Sequence, residues 1–212
     1  MKNDEIFDIE LTPDLIVRAY MAGIFPMSES ADNPDIFWVS PEMRGIIPLD
    51  DFHISKSLQK AIAKNNFKIL IDNNFEAVIK ACATYGSDRD STWINQTIID
   101  LYSELFERKI CHSVEVYEDD KLVGGLYGLS LGSAFFGESM FHKTSNASKI
   151  ALASLVHRLK LGGYSLLDTQ FITPHLHSMG GKEITREEYE ELLSKALKTS
   201  GDFYRLAEGG TS

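Results

Sequence analysis

Apolar and polar positions along the chain separate helical stretches from strand-like ones. Asp14 to Tyr20 reads as a short helix, opened by Thr12 as a cap and Pro13 in the first turn. The break Ala22-Gly23-Ile24-Phe25-Pro26 leads into a loop through Asp35. Ile36 to Val39 is a short apolar strand stopped by Ser40-Pro41, and Arg44 to Pro48 is another. Between Ser55 and Lys64, Leu58, Ala61 and Ile62 share one side of a helix, while Lys56, Lys60 and Lys64 recur every four residues on another. Phe67 to Ile71 is a strand, Phe75 to Ala83 a helix, and the polar run from Tyr85 to Asp90 a turn. Ile98, Leu101, Tyr102 and Leu105 form the apolar stripe of a helix from Gln96 to Arg108. Ser113 to Tyr117 alternates as a half-buried strand does, and Leu122 to Leu129 returns as its antiparallel partner after the turn Glu118-Asp119-Asp120-Lys121. Ala134 to Phe141 makes the third strand of the meander. Asn146 to Leu161 is a helix ended by Gly162-Gly163, Tyr164 to Phe171 a buried strand, and Thr185 to Leu197 a final acidic helix. The tail from Glu208 is small and polar and is expected to fray.

Several short elements at the start predict a small N-terminal α/β domain, residues 1–65, ahead of a main domain, residues 66–212. From residue 67 the order is strand, two helices, three-strand meander, helix, strand, helix, with no internal repeat. That order predicts an α/β (α+β) chain with one central mixed sheet. It matches the acyltransferase fold best known from the GNAT N-acetyltransferases, though a fold alone does not fix chemistry.

Composition narrows the class. With 43% hydrophobic and 25% charged residues, the chain is not a disordered one. Its N-terminus lacks the basic-then-apolar order of a secretory signal. The longest uncharged run, Leu122 to Gly137, is too short and too interrupted by glycine and serine to span a membrane. Cys82 and Cys111 have no metal or redox spacing, and His175-Leu176-His177 lacks a supporting cluster of ligands. A reduced, cytoplasmic protein without a metal site and without a membrane partner is therefore expected. The net charge of −10, from 21 basic and 31 acidic side chains, by itself argues against a nucleic-acid partner. The distribution of that charge argues the other way. No acid lies between Asp51 and Asp72, where Lys56, Lys60, Lys64 and Lys68 stand, and none lies from Ser139 to Leu167, which holds Lys143, Lys149, Arg158 and Lys160.

Two strands carry candidate chemistry. In Leu166-Leu167-Asp168-Thr169-Gln170, an acid and an amide two residues apart share a face. A strand end that simply meets solvent would look the same. In Phe135-Phe136-Gly137-Glu138-Ser139-Met140-Phe141, Glu138 is wedged among aromatic and apolar neighbours, where a charge is costly without a partner. It is either an acid on an exposed sheet face or one kept for a task such as orienting an amine. The segment His142-Lys143-Thr144-Ser145-Asn146-Ala147-Ser148-Lys149 stands where a GNAT enzyme has its pyrophosphate cradle. It contains no glycine, which argues against acetyl-CoA and leaves a basic, hydroxyl-rich helix start suited to another phosphate.

Ala22-Gly23-Ile24-Phe25-Pro26, Trp38 with Ser40-Pro41, His53-Ile54-Ser55, Thr92-Trp93-Ile94, His112-Ser113-Val114-Glu115-Val116 and Leu122-Val123-Gly124-Gly125-Leu126-Tyr127-Gly128 resemble signatures of the leucyl/phenylalanyl-tRNA–protein transferases. Gly137-Glu138-Ser139-Met140-Phe141, Asn146-Ala147-Ser148-Lys149 and Asp168-x-Gln170 complete the resemblance, in order, from Ala22 to about Gln170. It implies a cytoplasmic, monomeric GNAT-type enzyme that moves Leu, Phe or Met from aminoacyl-tRNA to proteins beginning with Arg or Lys, marking them for degradation. It further implies that no metal or coenzyme is used. Carried over by position, Asp168, Gln170 and Glu138 form the reaction centre, and Leu126, Phe135, Met140, Leu152, Leu155 and Leu159 line the aminoacyl pocket. Trp38 and Trp93 meet the terminal adenosine, and Lys56, Lys60 and Lys64 the acceptor stem. On spacing alone, the leucines of the 146–161 helix read as ordinary core, and the lysine row as a solvated helix face. The family often has a tryptophan where Val39 stands, and bulkier aromatics at some of these leucines, which points to a roomier pocket. Because the ester is already activated, positioning is the main requirement. A neutral amide oxygen is a poor base, so the expected roles are Gln170 accepting a hydrogen bond from the amine, Asp168 holding Gln170, and the proton leaving through solvent or the tRNA. The rival readings are an acetyl-CoA-dependent GNAT enzyme and a non-catalytic RNA-binding module.

Overall fold

The computed structural model describes residues 11–64, 66–85 and 92–205. Its helices begin where the sequence places polar caps. Thr12 accepts from the Leu15 N–H at the start of α1, Pro13–Met21. Ser55 does the same for α2, Lys56–Ala63, and Asn95 for α4, Gln96–Glu107. The turn expected at Tyr85 to Asp90 lies, beyond Tyr85 itself, outside the described residues, as does the tail from Glu208.

Among the described residues two sheets form. β1, Phe25–Met27, and β2, Phe37–Val39, make a two-stranded antiparallel ribbon. The main sheet has seven strands in the order β4-β5-β6-β7-β8-β3-β9. Here β3 is Met43–Ile46, β4 Lys68–Ile71, β5 Cys111–Glu118, β6 Lys121–Leu131 and β7 Ala134–His142. β8 is Leu166–Gln170 and β9 Lys182–Thr185. The predicted meander is present as antiparallel β5-β6-β7, and α5, Ala147–Leu161, returns the chain to β8. β8 pairs parallel to β7, so the sheet is mixed and the α/β reading holds.

The sheet crosses the expected boundary at residue 65. β3 lies between β8 and β9 and is antiparallel to both, so residues 43–46 are an inner strand of the main sheet. Sequence order hides this, because the partners of β3 are more than a hundred residues away. β1, β9 and the short helix α6, Pro174–His177, were also not predicted. β9 reads Lys-Glu-Ile-Thr, too polar for an apolar pattern, and such sequences are common at sheet edges.

Two cores flank the sheet. On one face α1, α3 (Phe75–Tyr85), α4 and α7 (Arg186–Ala196) bury Tyr20, Phe75, Ile79, Tyr102, Tyr127, Phe136 and Leu193. On the other, α5 and α2 bury Leu58, Val114, Leu126, Phe135, Leu152, Leu155 and Leu159. Close packing of the sheet requires Gly128: a Cβ there would come within 2.5 Å of the Phe135 ring and 2.2 Å of the Phe136 carbonyl oxygen.

Candidate active site

Strands β7 and β8 run side by side only from Ala134↔Leu166 to Phe136↔Asp168, and beyond that register no pairing continues, although β7 extends to His142. Just past this point two irregularities re-aim side chains. In β7, Gly137 pairs with Gly128 and Ser139 with Tyr127, leaving Glu138 as the extra residue of a β-bulge. In β8, Gln170 takes the left-handed conformation, φ 57°, which ends the strand. This is why β8 stops at Gln170 rather than Phe171.

The bulge and the turn bring Glu138, Asp168 and Gln170 together. The Gln170 amide Nε2 donates to Glu138 Oε1 at 3.2 Å, and the Gln170 backbone N–H donates to Asp168 Oδ1 at 2.8 Å. Asp168 therefore holds the backbone of Gln170, and Glu138 holds its side chain, a division of labour the sequence did not reveal. The Gln170 amide oxygen, on the far side of the amide from Glu138, has no protein partner among the described residues.

Asp168 is fully buried, and three further groups converge on it. Arg44 Nε donates to Oδ1 and Oδ2 at 3.0 and 3.2 Å, Arg44 Nη2 to Oδ2 at 2.7 Å, and the Tyr189 hydroxyl to Oδ2 at 2.7 Å. Arg44 is itself 1% exposed, sandwiched between the rings of Phe25 and Tyr189, with Nη1 donating to the Gly23 carbonyl. Burial works to lower its pKa, but the Asp168 charge and hydrogen bonds outweigh that and leave it raised. Arg44 thus ties Gly23 and Phe25 of the Ala22–Pro26 motif to β8. In the sequence, Arg44 reads only as the start of a strand. The available signal was one arginine opening an otherwise apolar segment, Arg44-Gly45-Ile46-Ile47.

Glu138 is partly exposed as a residue, yet its carboxylate is ringed by protein. The Tyr102 hydroxyl donates to Oε2 at 3.3 Å and lies 2.6 Å from the Tyr20 hydroxyl. Burial, and then the Asp168 charge, push its pKa up to about 8, against hydrogen bonds from Tyr20 and Tyr102 and the more distant Arg44 charge. Both tyrosines are raised well above their ordinary values, chiefly by burial and next by Glu138. In the sequence, Tyr20 and Tyr102 read only as helix positions.

The other predicted site residues are distributed around this centre. Leu126, Phe135, Leu152, Leu155 and Leu159 are all buried in the α5-side core, with Met140 packed at its edge. That is the face opposite Tyr20 and Tyr102. Trp38 is 40% exposed on the β1–β2 ribbon, and Trp93 is partly buried just before α4. Lys56, Lys60 and Lys64 are all exposed along α2, whose Leu58 faces inward. At the start of α5, Asn146 makes no side-chain capping bond, and Lys149 and His142 lie near enough to His175 to lower its pKa further below what burial alone gives. Concavities of about 300 Å³ between α1 and α7 and about 640 Å³ between α3 and α4 include none of the predicted site residues. Among the described residues no group of three or more His, Cys, Asp or Glu could hold a metal ion, and no helix is long and apolar enough to cross a membrane.

Residues 46–194 match the family model described as leucyl/phenylalanyl-tRNA protein transferase, and residues 9–42 match the model of that enzyme's N-terminal domain. A leucyl/phenylalanyl-tRNA–protein transferase of Afipia carboxidovorans is 52% identical over 197 residues, 93% of this chain and 87% of the relative. One from a Ruegeria species is 54% identical over 193 residues, 91% of this chain and 90% of the relative. Among solved structures, a ribosomal-protein-alanine N-acetyltransferase from Brucella melitensis is 15% identical, with a TM-score of 0.36, covering 69% of this chain and 95% of that one.

Proposed function

The chain belongs to the leucyl/phenylalanyl-tRNA protein transferase family, and from that premise we propose that aminoacyl transfer takes place where β7 and β8 part, at Glu138 and Gln170. It is an aminoacyltransferase, acting from aminoacyl-tRNA onto a protein. The observation that carries the placement is the hydrogen bond from the Gln170 amide to Glu138, which leaves the amide oxygen open. An acceptor's terminal amine donates to that oxygen and is thereby aimed at the ester carbonyl. Asp168 and Arg44 act behind it, fixing the left-handed turn that presents Gln170.

The aminoacyl side chain enters the α5 side of the gap past Met140, toward Leu126, Phe135, Leu152, Leu155 and Leu159. An apolar slot of that kind accepts Leu, Phe and Met. Because one methylene is worth only about 1–3 kcal/mol, discrimination among apolar side chains is real but incomplete. The start of α5, with Lys149 and His142, receives the phosphates of the tRNA 3′ end. Trp38 and Trp93 flank the terminal adenosine, and Lys56, Lys60 and Lys64 hold the acceptor stem through its backbone. Acceptors begin with Arg or Lys and are thereby marked for degradation, in the cytoplasm, by a monomeric enzyme whose residues 1–65 supply both the lysine row and Arg44. No coenzyme is required, since the ester carries the energy.

The test is direct. Purified chain, labelled leucyl-tRNA and a peptide beginning with Arg are incubated together, and leucine is expected at the peptide N-terminus. Labelling of a peptide beginning with Glu at the same rate, or acetylation from acetyl-CoA instead, would contradict the reading.

A further inference from the structure

Asp168 has no lone pair to spare. Its two oxygens, with about four acceptor sites, receive Arg44 Nε and Nη2, the Tyr189 hydroxyl and the Gln170 N–H. A carboxylate so occupied, and ion-paired with a buried guanidinium, offers no open acceptor position to the attacking amine. Glu138 is the opposite case. Among the described residues it accepts hydrogen bonds at 3.2 Å from Gln170 Nε2 and 3.3 Å from the Tyr102 hydroxyl, both long, and the Tyr20 hydroxyl beside Tyr102 also favours its ionised form. The ionisable groups facing it are Tyr20 on α1, Tyr102 on α4, Tyr127 on β6, Cys111 on β5, Asp168 on β8 and Arg44 on β3. The one cation among them, Arg44, is committed to Asp168.

We propose that Glu138 takes the proton from the attacking amine, with the Tyr102–Tyr20 hydroxyl pair positioning its carboxylate, and that Asp168 remains an ion-paired anchor throughout. This rests on the transfer reaction given above. The neutral amine nitrogen attacks the ester carbonyl carbon, the new C–N bond forms, and the C–O bond to the ribose breaks. The nitrogen gives one proton to a Glu138 oxygen, and the departing ribose oxygen needs one to leave as a hydroxyl. Glu138 supplies it and returns to its starting state, so atoms and protons balance without a co-reactant. Gln170 places the nitrogen: the oxygen of its amide accepts from the amine while its Nε2 keeps Glu138 Oε1 alongside. A carboxylate whose pKa is about 8 is matched to removing a proton near neutrality, as an amide oxygen is not. Tyr102 is a positioning residue, and its hydrogen bond favours the ionised form of Glu138.

The experiment measures single-turnover leucine transfer at saturating Arg peptide across pH, for the wild type, Glu138→Gln, Tyr102→Phe and Asp168→Asn. The wild-type rate rises with pH and levels near 8. Tyr102→Phe moves that limb to higher pH, Glu138→Gln removes it with a loss of about 10²–10⁴-fold, and Asp168→Asn lowers the rate but leaves the limb in place. Ionisation of the peptide's own amine also gives a limb near pH 8; it is the same for every variant and is divided out with the amine pKa titrated on the peptide alone, so the limb compared is the one that remains. In the free enzyme, an infrared difference spectrum of wild type minus Glu138→Gln carries a protonated-carboxyl band that fades as pH passes through about 8. An active enzyme whose limb ignores Tyr102→Phe, survives Glu138→Gln, or lacks that band at mildly acid pH overturns the assignment of Glu138. A wild type that transfers no leucine overturns the functional reading itself, whatever the band does.

Discussion

Glu115 on β5 and Glu138 on β7 are both acids in the middle of one sheet, and their surroundings differ in the supply of donors. Glu115 is 0% exposed and takes four hydrogen bonds, from the N–H groups of Asn73 and Asn74 at 2.9 and 2.6 Å, the Ser113 hydroxyl at 3.0 Å and the Tyr117 hydroxyl at 2.9 Å. Its charge is fully met, and it pins the loop between β4 and α3. Glu138, two strands away, has two long hydrogen bonds and a pKa pushed up to about 8. Burial alone therefore does not mark a functional acid; burial with too few donors does. Asp168 sides with Glu115, since Arg44, Tyr189 and Gln170 satisfy it. The neighbouring Asp72 does the same, held by the ring of His112 and the Tyr204 hydroxyl below its ordinary pKa even though burial acts to raise it.

The contrast can be broken first at Arg44. Arg44→Met strands a buried carboxylate and should cost about 3–5 kcal/mol in urea unfolding. Adding Asp168→Asn should return much of that loss, a coupling that a double-mutant cycle reads directly. If the two losses simply add, the pair is not the unit described here. Next comes Glu115→Gln, which places an amide N–H against backbone donors and should cost about 1–3 kcal/mol while leaving the pH dependence of transfer unchanged. A shifted pH limb in that variant would erase the distinction between the two acids. The smallest effect belongs to the surface. Replacing Lys56, Lys60 and Lys64 by Gln should leave stability nearly untouched and flatten the dependence of log K for tRNA on log salt, by about 0.7–0.9 for each phosphate no longer neutralised. An unchanged slope would return that lysine row to being a solvated helix face.

Much of this was legible in local patterns. The caps at Thr12, Ser55 and Asn95, the meander from Cys111 to His142 and the 147–161 helix all follow from spacing that neighbours in sequence can display. The nearness of Asp168 to Gln170 was legible for the same reason, although the structure joins them through the Gln170 backbone N–H. What escaped was non-local. β3 pairs with strands more than a hundred residues downstream, so no periodicity near Arg44 announces an inner strand or its ion pair with Asp168. The bulge that turns Glu138 depends on the β6 register, and the hydroxyl pair joins α1 to α4. The apolar residues carried over for the aminoacyl pocket form one buried cluster on a single face, but a helix stripe cannot say whether such a cluster opens.

The most direct measurement compares single-turnover leucine transfer to an Arg peptide by Glu138→Gln and Glu115→Gln, each shown to be folded. The account predicts that the first loses about 10²–10⁴-fold and the second stays close to wild type. Equal losses in both, or a Glu138→Gln enzyme as fast as wild type, would contradict it.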